Sequence, residues 1–288
     1  MTVSPVLGLI GGAESMLSIV VTWRDRVELT QALPTLLDAA RAVNGDVTVV
    51  NYDGSTELLE AQLGTYSPFV RVVYVQGQQY FNKPRAQNLG AANTDQPILF
   101  FCDCDILLEA RTLSSLVERV ASEEGFFATL AGVRESRVNS RRGGHVTCFG
   151  YELQIRTADG RSLRIVDHEE DALDGTRNAP GLLLVRRADF LAIQGYNSRL
   201  LTGWGWDDQD IIARLTLGAG LQRIIEGHAI HISHDDDARI AHYPSVKDRW
   251  ESRDKMFRQA LANYDRADFM GSYDLDVAEV PVRVLQMN

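Results

Sequence analysis

Cysteine is scarce in this chain. Cys102, Cys104 and Cys148 are the only three in 288 residues, too few for a disulfide framework. They are expected to be structural thiols in a reducing compartment, because no second cysteine pair completes a metal site around Cys102 and Cys104. Basic residues are outnumbered, 29 Lys and Arg against 39 Asp and Glu, for a formal charge of -10. That balance argues against broad, unaided binding to nucleic acid or anionic membrane, both of which need clustered cations. Long apolar runs are missing too, and no stretch approaches the roughly 18 to 20 residues of a membrane span. The N-terminal apolar stretches are broken by Gly11, Gly12 and Glu14 and follow no basic segment, so a cytoplasmic protein is expected. With no repeat, low-complexity tract or linker in view, residues 1–288 are expected to form one domain, and 45% hydrophobic residues suffice for a large core.

What is present is an alternation. After a Gly-rich leader come apolar, β-branched runs at 17–23 (LSIVVTW), 46–53 (DVTVVNYD), 69–75 (FVRVVYV) and 97–102 (PILFFC). Between them lie helical patterns at 26–43, 55–63, opened by the cap Ser55, and 83–94. Strands spaced by helices in this rhythm demand parallel pairing with right-handed crossovers, hence a doubly wound α/β sheet with helices on both faces. Past Asp105 the rhythm loosens: a helix at 112–122, a strand at 125–132, then a polar, irregular stretch at 135–174 with antiparallel strands. Short helices follow at 186–196, ending near Gly195, and at 207–220, stopped by Gly218 and Gly220. The segment 245–264 spaces Val246, Trp250, Phe257 and Leu261 on one face and is expected to dock as a C-terminal helix.

The run FFCDCDIL (100–107) sets Asp103 and Asp105 behind a strand buried on both faces. Acids at its C-terminal end stand where open α/β sheets bind ligands. At i and i+2 they share a face and can converge on one hard cation, Mg²⁺ or Mn²⁺, or they can simply end the strand as turn residues.

Four stretches, in this order, resemble the inverting GT-A glycosyltransferases, both the broad family 2 and the β-1,4-galactosyltransferase and chondroitin-polymerase branch. They are SIVVTWRDR (18–26), VVNYDGST (49–56), NKPRAQNLGAAN (82–93) leading into FFCDCD, and PGLLLVRRADFLAIQGYNSRLLTGWGWDDQD (180–210). The likeness spans roughly residues 17–235. It implies a GT-A, Rossmann-like, mostly parallel sheet in a single catalytic domain. Residues 17–110 would be a nucleotide-binding half, 111–244 a smaller metal and acceptor half, and 245–288 a C-terminal helix and tail.

The resemblance also implies roles. Thr22, Trp23, Arg24 and Asp53 would grip the nucleoside, the carboxylate accepting the uracil N3 proton; Asp53, ahead of Gly54 and Ser55, equally suits a plain turn. Lys83, Arg85 and Asn88 would face the donor pyrophosphate, or lie on a solvated helix face. Gly181 would let the backbone approach the donor sugar, or merely turn the chain after Pro180. GWGWDDQD is similar to the GWGGEDDD of β-1,4-galactosyltransferases, which makes Asp208 the catalytic base and places Asp207 where that family has an acceptor-binding Glu. Trp204 and Trp206 would offer an apolar platform to an acceptor sugar, although the acid run alone would also suit a helix N-terminus. Trp206 stands for a Gly of that motif, Asp207 is shorter than Glu, and Gln209 stands for an acid, so the acceptor pocket differs in shape.

In HAIHISHDDD (228–237), the resemblance makes His234 and His231 metal ligands completing a shell begun by Asp103, Asp105 or both. Imidazole beside carboxylate suits Mn²⁺; three histidines in seven residues can also be ordinary polar residues. The implied activity is metal-dependent, inverting transfer of a sugar from a UDP-sugar to a hydroxyl acceptor such as a glycan, with region 135–178 as an acceptor lid. It requires Asp105 and Asp208 to face one cleft. Two other readings stay open. A sugar-phosphate nucleotidyltransferase shares the sheet but opens with a Gly-rich loop and a basic residue after the first strand, whereas GLIGGAES precedes that strand here. A catalytically silent carbohydrate-binding protein would keep Trp204 and Trp206 without needing Asp208 or a metal.

Overall fold

A computed structural model describes residues 16–138 and 145–285. The Gly-rich leader and six residues of the irregular stretch, 139–144, lie outside the described residues, as does the end of the chain. The first half follows the expected alternation: β1 (Leu17–Trp23), α1 (Leu29–Arg41), β2 (Asp46–Tyr52), α2 (Thr56–Leu63), β3 (Arg71–Val75), α3 (Lys83–Ala92) and β4 (Ile98–Asp103). Two of these helix starts have a local cause. Ser55 accepts the Leu58 N–H at 3.1 Å to open α2, and Asn82 accepts the Arg85 N–H at 3.0 Å to open α3. Every residue of β1 and β2 is buried, as strands covered on both faces must be.

The second half comprises β5 (Ile106–Leu107), α4 (Ala110–Ser122), β6 (Phe126–Glu135), β7 (Gly150–Arg156), β8 (Ser162–His168), β9 (Thr176–Arg186), α5 (Arg187–Ala192), α6 (Asp207–Ala213), β10 (Gln222–Ile225), β11 (His228–His231), α7 (Asp236–Ile240), α8 (Arg249–Tyr264), α9 (Tyr273–Glu279) and β12 (Val282–Leu285). The central sheet runs β12-β3-β2-β1-β4-β9-β6-β11-β5, with β10 also on β6. Strands β3, β2, β1 and β4 are parallel, as expected. The sheet is mixed rather than wholly parallel: β9 enters antiparallel between β4 and β6, and the edge strands β12 and β5 also pair antiparallel with their neighbours. That strand contains the PGLLLVR run, whose apolar character shows burial but not direction.

Helices α1, α2 and α4 cover one face of the sheet, and α3, α5, α6, α8 and α9 the other, giving two apolar layers. Strands β7 and β8 form a separate antiparallel hairpin, in agreement with the irregular stretch carrying antiparallel strands. The docking face of α8 differs from expectation. Met256, Ala260 and Tyr264 are buried, whereas Trp250 and Leu261 are exposed. Of the expected face, Phe257 is half-buried and packs against Trp206 in a tilted pair, with ring centroids 4.6 Å apart. Among the described residues, no helix is long and apolar enough to cross a membrane. Cys102 and Cys104 are free and buried, and burial pushes both thiols well up, as suits structural thiols.

Candidate active site

A cleft of about 380 Å³ opens at the C-terminal ends of the parallel strands. Thr22 and Arg24 from the end of β1, Asp103 from β4 and Asp105 from the turn after it all line it. So do Lys83 at the start of α3, Asp207 and Asp208 at the start of α6, and His231 and His234. Asp105 and Asp208 therefore share one cavity. Two charged groupings divide it.

The first is centred on Lys83. Its Nζ lies 3.0 Å from Asp103, 3.4 Å from Asp208 and 3.5 Å from Asp207. Burial pushes the Asp208 carboxyl up, and the neighbouring Asp207 charge adds to the shift; Lys83 opposes both, and the result is about 7. Lys83 itself is held well above its usual value, the three carboxylates outweighing the cost of its own burial.

The second grouping is Asp105 with His231 and His234, whose ligand atoms converge within 4.8 Å. Strand register assembles it: His231 on β11 pairs with Ile106 of β5 on one side and with Glu135 of β6 on the other. Asp105 Oδ2 faces His234 Nε2 at 3.2 Å, His231 Nε2 at 3.6 Å and the Arg26 guanidinium at 3.3 Å. Burial pushes the Asp105 carboxyl up, but His231, His234 and Arg26 outweigh it and hold it well below the usual carboxylate range. Burial lowers His231, and its hydrogen bonds to Asp105 and Glu135 more than restore it, so it ends above the ordinary histidine value.

The donor set fits a divalent cation of Mn²⁺ type. Both imidazoles engage acceptors through Nδ1, His231 with Glu135 at 2.7 Å and His234 with the Asp235 carbonyl at 2.8 Å. That leaves both Nε2 atoms turned toward a carboxylate oxygen, and acceptors so opposed need a proton or a cation between them. Asp105 Oδ1 is buried with no hydrogen-bond partner, a further free ligand atom. Asp103 is not part of this cluster. Its carboxylate is 40% exposed and pairs with Lys83, because successive same-face positions diverge once β4 ends in a turn.

Several expected site residues are placed elsewhere. Trp23 is wholly buried and donates its Nε1–H to the Arg26 carbonyl at 2.7 Å, so its ring belongs to the core rather than to a nucleoside pocket. Asn88 is also wholly buried; its amide donates to the Tyr196 carbonyl and Asp276 and accepts the Tyr196 N–H, tying α3 to α9. Arg85 is drawn to the same buried Asp276 at 3.0 Å, two residues along α3 from the cleft's Lys83 and therefore on another side of the helix, outside the cleft lining. Asp53 has the backbone of a turn residue, φ 60°, and accepts the N–H groups of Gly77 and Gln78. It too lies outside the cleft lining.

Gly181 has a different use from the expected one. A Cβ there would lie 2.5 Å from Asp208 Oδ2, so the missing side chain makes room for the Asp208 carboxylate. Gly181→Ala is expected to displace Asp208 and destabilise the fold by about 1–3 kcal/mol. Thermal melting and turnover together check it, and an unchanged rate would show that the carboxylate needs no such space.

The two tryptophans of GWGWDDQD separate. Trp206 caps α6 in the left-handed region, φ 70°, the conformation that explains a Gly in the related motif. It is only 5% exposed and packs on Phe257, so it is not an open sugar platform. Trp204 stays half-buried on the cleft wall, its carbonyl accepting from Ser252. Asp210 is structural: it is buried against Arg214 at 2.7 Å and accepts the Tyr264 hydroxyl at 2.8 Å.

Sequence reasoning missed Arg26, Glu135 and a charged wall opposite α6. In that wall Asp167 and Glu169, at the end of the β7–β8 hairpin, meet Arg253 and Arg249 of α8 at 3.4 and 2.9 Å, and Gln209 donates to Asp167 at 3.0 Å. Arg26 had a usable signal, a cation just past the first strand. Glu135 had none, since only the β6–β11 register sets it beside His231.

Comparison with known proteins agrees with this fold. The structure resembles that of GalNAc-T7 with UDP, GalNAc and Mn²⁺, with a TM-score of 0.58 over 92% of this chain and 56% of the other, at 13% identity. It also resembles residues 1–349 of S. aureus TarS, with a TM-score of 0.52 over 91% of this chain and 75% of that one, at 13% identity. The fold is that of the GT-A glycosyltransferases. The chain belongs to glycosyl transferase family 2, whose profile matches residues 18–169, more than half its length. A second family, described as the N-terminal domain of galactosyltransferase, matches residues 161–235, which include the motif carrying Asp207 and Asp208. In sequence the chain is similar to validoxylamine A glucosyltransferase of Streptomyces hygroscopicus subsp. jinggangensis, 26% identical over 66% of this chain and 42% of the relative. The protein of the same name from subsp. limoneus is 24% identical over 71% of this chain and 42% of its own length. The chain thus spans less than half the length of these curated relatives.

Proposed function

We propose that the protein transfers a sugar from a UDP-sugar to a hydroxyl acceptor with inversion at the anomeric carbon, and that Asp208 is the base. The observation that carries this reading is the meeting, in one cleft, of a carboxylate poised near neutrality with a carboxylate–bis-histidine cluster. The GalNAc-T7 structure holds UDP and Mn²⁺, and the curated relatives are named as glucosyltransferases, which supports a hexosyl donor. The match over residues 161–235 supports a galactosyltransferase-like acceptor half. Residues 1–288 are read as one catalytic domain.

In this mechanism Thr22 and Arg24 line the donor side, where Arg24 also braces the 76–79 loop by donating to the Gln78 carbonyl at 3.2 Å. Lys83 supplies positive charge between the donor-side Asp103 and the base. The acceptor hydroxyl, held by Asp207 and the Trp204 wall, forms its bond to the anomeric carbon as the bond to the diphosphate breaks, and its proton passes to Asp208. A divalent cation held by Asp105, His231 and His234 would supply charge neutralisation for the departing diphosphate.

A base works only when unprotonated. With Asp208 near 7, kcat/KM is expected to fall as pH drops below about 7 and to level off above it. Rate–pH profiles of UDP release from a panel of UDP-sugars check this, and a flat profile between pH 5 and 8 would overturn the base assignment. Calorimetry with UDP tests the rest: binding is expected to strengthen with Mn²⁺, whereas metal-independent binding would favour a silent carbohydrate-binding protein. Pyrophosphate release from UTP and a sugar 1-phosphate would favour a nucleotidyltransferase.

A further inference from the structure

We propose that Glu135 is a positioning residue that fixes the orientation and tautomer of His231 and thereby sets the affinity of the Asp105–His231–His234 cluster for a divalent cation. The inference rests on the metal reading of that cluster. Glu135 ends β6, is 5% exposed, and sits directly across the ladder from His231. Its Oε2 lies 2.7 Å from His231 Nδ1. The carboxylate is not free to turn away, because Arg177 donates to Oε1 at 3.0 Å and Ser233 donates to Oε2 at 2.8 Å.

An ionised carboxylate only accepts, so the short contact places the proton on Nδ1 and leaves the lone pair of the neutral ring on Nε2. That atom is the one facing Asp105, at 3.6 Å. The same logic holds for His234, whose Nδ1 meets the Asp235 carbonyl. The two histidines differ in what backs them. A peptide carbonyl orients a ring, whereas an anionic carboxylate also makes the imidazole a stronger donor to a metal. Arg177 limits that donation by sharing the charge of Glu135, so the strength of the His231 ligand depends on how the two partners divide one carboxylate.

Glu135→Gln keeps the shape of the side chain but lets an amide N–H face Nδ1, favouring the opposite tautomer with Nε2 protonated. Titration of the full chain with Mn²⁺ alone, followed by calorimetry or by the loss of the free-ion spin-resonance signal, is expected to show binding weakened about 10- to 100-fold in Glu135→Gln. Glu135→Asp, which keeps the anionic acceptor, is expected to regain part of it. Equal Mn²⁺ affinity in wild type and Glu135→Gln would overturn the role of Glu135 while leaving the metal site standing. A wild-type protein that binds no Mn²⁺ would instead overturn the metal reading itself. Nitrogen-15 spectra of wild-type histidines at pH 9 test the geometry without any variant: the Nδ1–H tautomer of His231 is expected, and an Nε2–H ring would refute the proposal even if Glu135→Gln failed to fold.

Discussion

Asp208→Asn is expected to slow sugar transfer by about 10²- to 10⁴-fold, the usual contribution of a positioned general base, while UDP binding in the presence of Mn²⁺ is unchanged. The substitution is nearly isosteric, so the space provided by Gly181 stays filled as before, and Lys83 keeps an oxygen to bond. What disappears is the ability to take a proton. The residual rate should also lose the pH dependence near 7, because the group that titrates there is gone. Full turnover in Asp208→Asn would remove the base assignment.

Asp105→Asn should be comparably severe for a different reason. It removes the one anionic ligand of the cluster, leaving two imidazoles and the Arg26 cation around a neutral amide. Mn²⁺ binding is expected to fall below detection and turnover to drop on the order of 10²- to 10³-fold, the scale of losing one preorganised charge from a transition state. Excess EDTA should reproduce that loss in the wild type, with Mn²⁺ restoring activity. The two variants separate the halves of the mechanism: Asp208→Asn spares metal-linked UDP binding and Asp105→Asn abolishes it. Undiminished transfer in EDTA would contradict the role given to the cluster.

The first half of the fold was legible because it obeys local rules. Apolar runs the length of strands, separated by capped helical stretches, leave parallel pairing as the available solution, and β1 to β4 pair that way. The acids at the end of β4 and the start of α6 were visible for a similar reason, since charge next to a buried run marks a strand or helix end. The second half resisted reading. Strand β9 looks in sequence like any buried run, and its antiparallel insertion between β4 and β6 is set by the long excursion through the β7–β8 hairpin that returns the chain from the opposite end. Asn88 and Arg85 were misplaced because their partner, Asp276, lies almost two hundred residues further along and is buried by α9.

The amino-acid sequence by itself determined the class of fold, the place of the ligand edge and the identities of the acids that meet there, because these depend on residue type and near neighbours. Tertiary structure decided the rest. It moved Trp23 and Trp206 into the core, gave Gly181 to the Asp208 carboxylate, and separated Asp103 from Asp105. It also brought Glu135 to His231 through the register of β6 and β11. Those outcomes turn on which atoms lie within about 3 Å after the strands have paired, and pairing register joins residues that no sequence spacing connects.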